Sequence, residues 1–151
     1  MKRYWAAGAA ALALTGMAAG ALAADAAAIV KARHQNMKSI GGAVKAIGDG
    51  LKSDATTAEL RLYADRLDEL APKVPSWFPR GTGPGPGVKT HAKADIWAKP
   101  AEFAAAAGAF KAEAAKLSAL AAAGDRAAFT KQFGVVRGTC KGCHDPFRAE
   151  D

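Results

Sequence analysis

Apolar residues recur at helical spacing in four separate stretches of the chain. The first runs from about Ala26 to Leu51. Its seam is Val30, Met37, Ile40, Val44, Ile47 and Leu51, with steps of 3, 4, 3 and 4 from Met37 onward. Such a stripe is the buried face of a helix packed lengthwise on others. Arg33 lies on the same seam, between Val30 and Met37. The second stretch, about Ala58 to Ala71, carries Leu60, Tyr63, Leu67 and Leu70. Thr56 with Glu59 reads as its capping box and Pro72 as its stop. The third starts near Pro100 and places Phe103, Ala107, Phe110, Ala114, Leu117 and Ala121 on one face. Gly124 ends it, and Asp125 caps the fourth. That last stretch carries Phe129, Phe133, Val136, Cys140, Cys143 and Phe147. Pro146 removes a hydrogen bond from its final turn and is expected to kink it.

No stretch sustains a period of two, so no strand is expected. Short links join helices one to two and three to four, which makes those pairs antiparallel neighbours. Residues 72–99, between helices two and three, form one long loop, with Trp77, Phe78 and Trp97 as its packing residues. The predicted fold is all-α: an antiparallel four-helix bundle with one long loop between helices two and three.

Residues 1–23 stand apart. Lys2 and Arg3 precede an uncharged, alanine-rich run that ends in Ala21-Leu22-Ala23. This pattern is a secretory signal peptide cut near Ala23, which leaves 24–151 as the mature domain and the periplasm as its location. An uncleaved anchor is the alternative reading. Cleavage would reduce the formal charge from +7 to +5, read here as spread along the chain. No Lys/Arg cluster is interleaved with aromatics, so nucleic-acid binding has no support. Two cysteines exclude a disulfide-dense scaffold and a Cys-rich zinc module.

Those two cysteines stand in Cys140-Lys141-Gly142-Cys143-His144, the attachment signal for a c-type haem. On a helix, cysteines three apart share a face, so both thiols reach the two vinyl groups of one haem. The adjacent His144 supplies an imidazole to the iron. A redox C-x-x-C belongs in a βαβ setting, which is missing here, and zinc would need about four ligands. The expected cofactor is therefore one haem c, bound through Cys140 and Cys143.

In an up-down-up-down bundle, Met37 and His144 fall in one layer on facing seams. Met37, the sole methionine of the mature chain, is then the expected sixth iron ligand beside His144, a pairing that raises the reduction potential. The alternative is that Met37 only fills core space. Arg33, one turn earlier, is expected to hold a haem propionate, because an unpaired buried charge is costly. His34 is a further candidate at the same haem edge. His91 and Lys93 in the loop are weaker ones. Arg148 lines the proximal side or caps the helix dipole. Gly41 and Gly42 serve close approach to haem or tight helix packing.

These residues resemble the class II cytochromes c, the family of cytochrome c′ and the low-spin cytochromes c-556. The likeness rests on Arg33-x-x-x-Met37-Lys38, on Phe78-Pro79-x-Gly81-Thr82 followed by Ile96-Trp97, and on Cys140-x-x-Cys143-His144-x-x-x-Arg148. It covers essentially the whole mature chain. The resemblance implies that residue 37 lies over the distal face of the haem. In c-556-like members a methionine there ligates iron and gives an electron carrier. In cytochrome c′ the iron is five-coordinate and binds NO or CO. The stretch from Arg33 to Gly41 looks more like the low-spin group. The expectation is thus a low-spin, His144/Met37-ligated electron carrier rather than an enzyme, with an unidentified redox protein as partner. A high-spin cytochrome c′ is the alternative. No nucleic acid and no stable membrane anchor are expected, and the mature protein is a monomer or a homodimer.

Overall fold

The computed structural model describes the backbone of residues 14–86 and 88–150, and side chains from residue 25 onward. Most of the expected signal segment therefore lies outside the described residues. Helix α1 spans Leu14–Lys52, so it begins well before the apolar seam does. Helix α2 spans Thr57–Leu70, α4 spans Pro100–Ala123 and α5 spans Arg126–Phe147. Between α2 and α4 the expected loop contains a 3₁₀ helix, Ala71–Trp77, and a one-turn helix α3, Asp95–Ala98. Pro72 does end the α-helix, but the chain keeps winding in the tighter form, where proline fits the first turn. Among the described residues there is no strand, only the isolated bridges Gly85–Val88 and Ala92–Arg148. None of the described helices is long and apolar enough to cross a membrane.

The helix ends follow from their capping residues. At the start of α2 the Thr56 amide donates to Glu59 Oε2 at 2.7 Å, and the Glu59 amide donates to Thr56 Oγ1 at 3.3 Å. Asp125 Oδ1 accepts from the Ala128 amide at 2.9 Å. Gly124 takes φ +78°, the left-handed cap that favours glycine. Arg126 then ties α5 to the α1–α2 turn by donating to the carbonyls of Leu51 and Ala55.

The four long helices form the antiparallel bundle. Helix α4 packs on α2 and α5, and α2 packs on α1. Ile47, Leu67, Leu117, Phe129 and Val136 are fully buried at its centre. Helices α1 and α5 make little direct contact. Toward the end that holds the N-terminal half of α1 and the C-terminus of α5, a cavity lies between them.

Helix α5 keeps its helical path through Pro146 as far as Phe147, which is buried. Arg148 then turns extended, with φ −116° and ψ 130°. The proline thus acts at the exit of the helix. The segment it releases pairs with the long connection: the Lys93 amide donates to Phe147 O at 2.9 Å, and the Ala149 amide donates to His91 O at 2.7 Å.

Candidate functional site

The cavity has a volume of about 480 Å³, within the range of small-molecule and cofactor sites. Helix α1 contributes Val30, Arg33, His34, Met37 and Lys38 to its wall. The long connection contributes Val74, Phe78, residues 89–92 and Ile96, and α4 contributes Phe103. Helix α5 closes it with Cys143, His144 and Phe147, and Arg148 follows just past the helix end. Met37 and His144, 107 positions apart in the chain, thus share one cavity, as their seams predict. Cys140, one turn before Cys143, is half-buried with its thiol 3.5 Å from Val136 O.

Burial pushes both thiols up: for Cys140 an opposing backbone contact and Arg137 offset part of this, and for Cys143 the neighbouring Cys140 adds to it. The His144 imidazole is held below its usual value, first by burial and then by the Arg148 cation. It is therefore neutral near pH 7, the form with a lone pair free for a metal.

Arg33 is 5% exposed, and its guanidinium is held by the connection. Nη1 donates to Thr82 Oγ1 at 3.1 Å and, at 3.5 Å, to Trp77 O. Nη2 donates to Thr82 O at 3.0 Å and to Thr90 Oγ1 at 2.8 Å. Its carbon centre stacks 4.6 Å from the centroid of Phe78. From there an edge-to-face aromatic series runs from Phe78 to Phe103 at 5.0 Å and on to Phe147 at 5.3 Å. The Trp97 indole N–H fixes the same segment by donating to Phe78 O at 3.0 Å.

Sequence reasoning placed Arg33 on the buried seam but did not see its clamp on Thr82 and Thr90. The signal was available: Thr82 is a hydroxyl residue inside the Phe78-Pro79-x-Gly81-Thr82 motif, and it proves almost fully buried. His34 reaches the cavity from an exposed position, and His91 lines it too. Lys93 does not line it and instead donates to Asp145 O at 2.9 Å. Gly41 and Gly42 do not line the cavity; both are exposed, and a methyl group at either would meet no other side chain of the described residues.

These residues fit a covalently held haem. The wall carries apolar and aromatic side chains, with a thiol and a neutral imidazole on one side. The buried Arg33 has four neutral oxygen partners and no carboxylate among the described residues. A buried cation without a counter-ion is suited to an anionic group such as a propionate.

The profile of the cytochrome c′ family matches residues 28–148. The chain is 40% identical to cytochrome c′ of Pararhodospirillum photometricum over 124 residues, covering 80% of this chain and 96% of that one. It is 36% identical to cytochrome c′ of Rhodospirillum rubrum over 132 residues, 86% of this chain and 88% of that one. Among solved structures, a nitric oxide complex of a variant cytochrome c prime from Alcaligenes xylosoxidans superposes with a TM-score of 0.73 at 29% identity, covering 82% and 94% of the two chains. A solved cytochrome c′ that shares the fold, with a TM-score of 0.77 at 24% identity, shows a ligand-controlled dimer dissociation. The match runs from the first turns of the cavity wall in α1 to the last residue of the haem-binding motif, and so this chain belongs to the cytochrome c′ family, whose members carry one covalently attached haem c.

Proposed function

We propose that the mature protein is a periplasmic monohaem cytochrome c′, with His144 as the only protein ligand to iron and an opposite face that takes up NO or CO. The observation that carries this reading is the company the chain keeps across its whole site. Its relatives at 40% and 36% identity are both cytochromes c′, and the cytochrome c prime at 29% identity is known with nitric oxide bound. This supports the gas-binding alternative better than the low-spin carrier first expected. The identity of residue 37 does not oppose it, since a thioether fills irregular apolar space as readily as it ligates.

When bound, haem supplies the ligand-binding and one-electron chemistry of the site. Cys140 and Cys143 tether it to α5. His144 presents a neutral imidazole from the same helix. Val30, Met37 and Phe78 keep the facing wall apolar and exclude water. Arg33 supplies the buried positive charge that a propionate needs. No catalytic residue is assigned, and residues 1–23 are read as an export signal removed near Ala23.

Absorption spectra of the purified holoprotein test the assignment. A high-spin ferrous spectrum that shifts on adding CO at neutral pH is expected, and Met37→Ala should keep it. A low-spin ferrous spectrum indifferent to CO, which Met37→Ala converts to the CO-binding form, would restore methionine ligation and sink the open-face reading.

A further inference from the structure

The positive charge of the chain is gathered rather than spread. No Asp or Glu occurs between Asp25 and Asp49, nor between Glu69 and Asp95, yet these two stretches hold eight Lys and Arg. The remainder, with thirteen basic and fourteen acidic residues, is nearly neutral, so the two stretches carry the whole surplus of +7. The fold sets them side by side. One is the cavity-lining part of α1, and the other is the connection that faces it.

Lys31, His34 and Lys38 stand at i, i+3 and i+7, on one face of α1. Lys89 joins them from the connection. An adjoining cavity of about 640 Å³ shares Val30, His34, Lys38 and Lys89 with the haem cavity, and no carboxylate among the described residues lines either one. Other lysines have close carboxylate neighbours: Lys45 with Asp49, Lys73 with Glu69, Lys99 with Asp95, Lys116 with Glu113 and Lys141 with Asp145. No carboxylate among the described residues pairs with Lys31, Lys38 or Lys89.

We propose that this rim docks an acidic one-electron donor protein, which approaches over Lys31, Lys38 and Lys89 and reduces the haem through the cavity mouth. The proposal rests on the haem reading above but not on whether Met37 reaches iron. The donor gives up one electron and ferric iron accepts it; no bond forms or breaks, and no proton is required. Five permanently charged bases line the two cavities, so two propionates leave the surround basic. A charge field of this kind speeds encounter with an acidic protein and sets its orientation. A lipid surface fits less well, since interfacial binding also needs bulky apolar side chains. Among the described residues, the exposed large apolar ones are Leu62 and Tyr63 on α2, Val135 on α5 and Ile29 alone on the α1 stretch.

The test is stopped-flow reduction of the ferric holoprotein by reduced flavodoxin, used as an acidic one-electron donor. The rim variant is Lys38→Glu with Lys89→Glu. The control is Lys111→Glu with Lys131→Glu, an equal change of charge on exposed lysines of α4 and α5 that line neither cavity. At low salt the second-order rate of the rim variant should fall about tenfold or more, and that of the control about twofold. The difference should vanish near 0.5 M salt, where the screening length is only about 4 Å. Equal slowing of both variants overturns the proposal. So does a rim variant that keeps the parent rate while losing its binding to phosphatidylglycerol vesicles, which would assign the rim to membranes. The absorption spectrum and CO uptake of each variant report the haem separately, so damage to the haem site and loss of docking give different results.

Discussion

Arg33 shows how much one side chain organises. A guanidinium with little exposure and no carboxylate nearby is costly. Burial alone pulls its pKa down. Four hydrogen bonds and the face of Phe78 offset that cost. A planar fork reaches all these acceptors at once, whereas an ammonium does not. Arg33→Lys keeps the charge and loses the geometry, so it should destabilise the protein by about 2 kcal/mol. The expected reading is a lower urea midpoint at unchanged m-value, and an unaltered midpoint would show that the clamp contributes nothing. The burial of Arg33 was legible from its place between Val30 and Met37. Its partners were not, because Thr82 and Thr90 lie 49 and 57 residues along the chain, and spacing rules are local. Met37 marks a second limit. Its layer followed from topology, but a thioether plays filler and ligand with the same side chain.

At the scale of elements, what was legible was whatever the chain decides within a few residues. The Thr56–Glu59 box, the Gly124 stop and the Asp125 cap appear where spacing puts them, and so do the four apolar seams except at Tyr63, which is exposed while its neighbour Ala64 is buried in its place. The long connection was less legible, since its order comes from distant partners: Arg33, the Trp97 indole and the tail released at Pro146. The charge surplus, too, reads as dispersed along the chain; it becomes a feature only when two acid-free stretches meet across a cavity. The capping box carries a pH prediction. The Thr56 backbone N–H, and then its hydroxyl, hold the Glu59 carboxyl below its ordinary value. A carboxylate depressed in the folded state stabilises fully above its unfolded value of 4.5, and that contribution fades as pH falls through the folded value. Glu59→Gln should therefore be less stable than the parent at pH 7 and indistinguishable from it near pH 2. A difference that persists undiminished in acid would mean the carboxylate charge is irrelevant to the cap.

The whole molecule is packed unevenly, and this governs what haem does for the fold. Leu67, Leu117 and Phe129, from three helices, are fully buried at its centre and line no part of the cavity. One end of the bundle holds α1 and α5 apart around the cavity, with the connection as a further wall. Haem bound there, as proposed, would supply apolar surface to both helices, so ligand and core would stabilise different parts of one bundle. A Cys140→Ala, Cys143→Ala variant, which cannot attach haem, separates the two contributions. Local opening follows local packing. Amides of residues 30–38 and 88–93 should therefore lose hydrogen-exchange protection by about a hundredfold or more, equivalent to about 3 kcal/mol. Amides around Leu67 and Leu117 should change far less, since neither residue lines the cavity. Restoring both cysteines in the presence of haem-attachment machinery should return protection to the first group. If protection is instead lost to the same degree throughout, the bundle folds as one cooperative unit that needs haem, and the division of labour between its two parts is wrong.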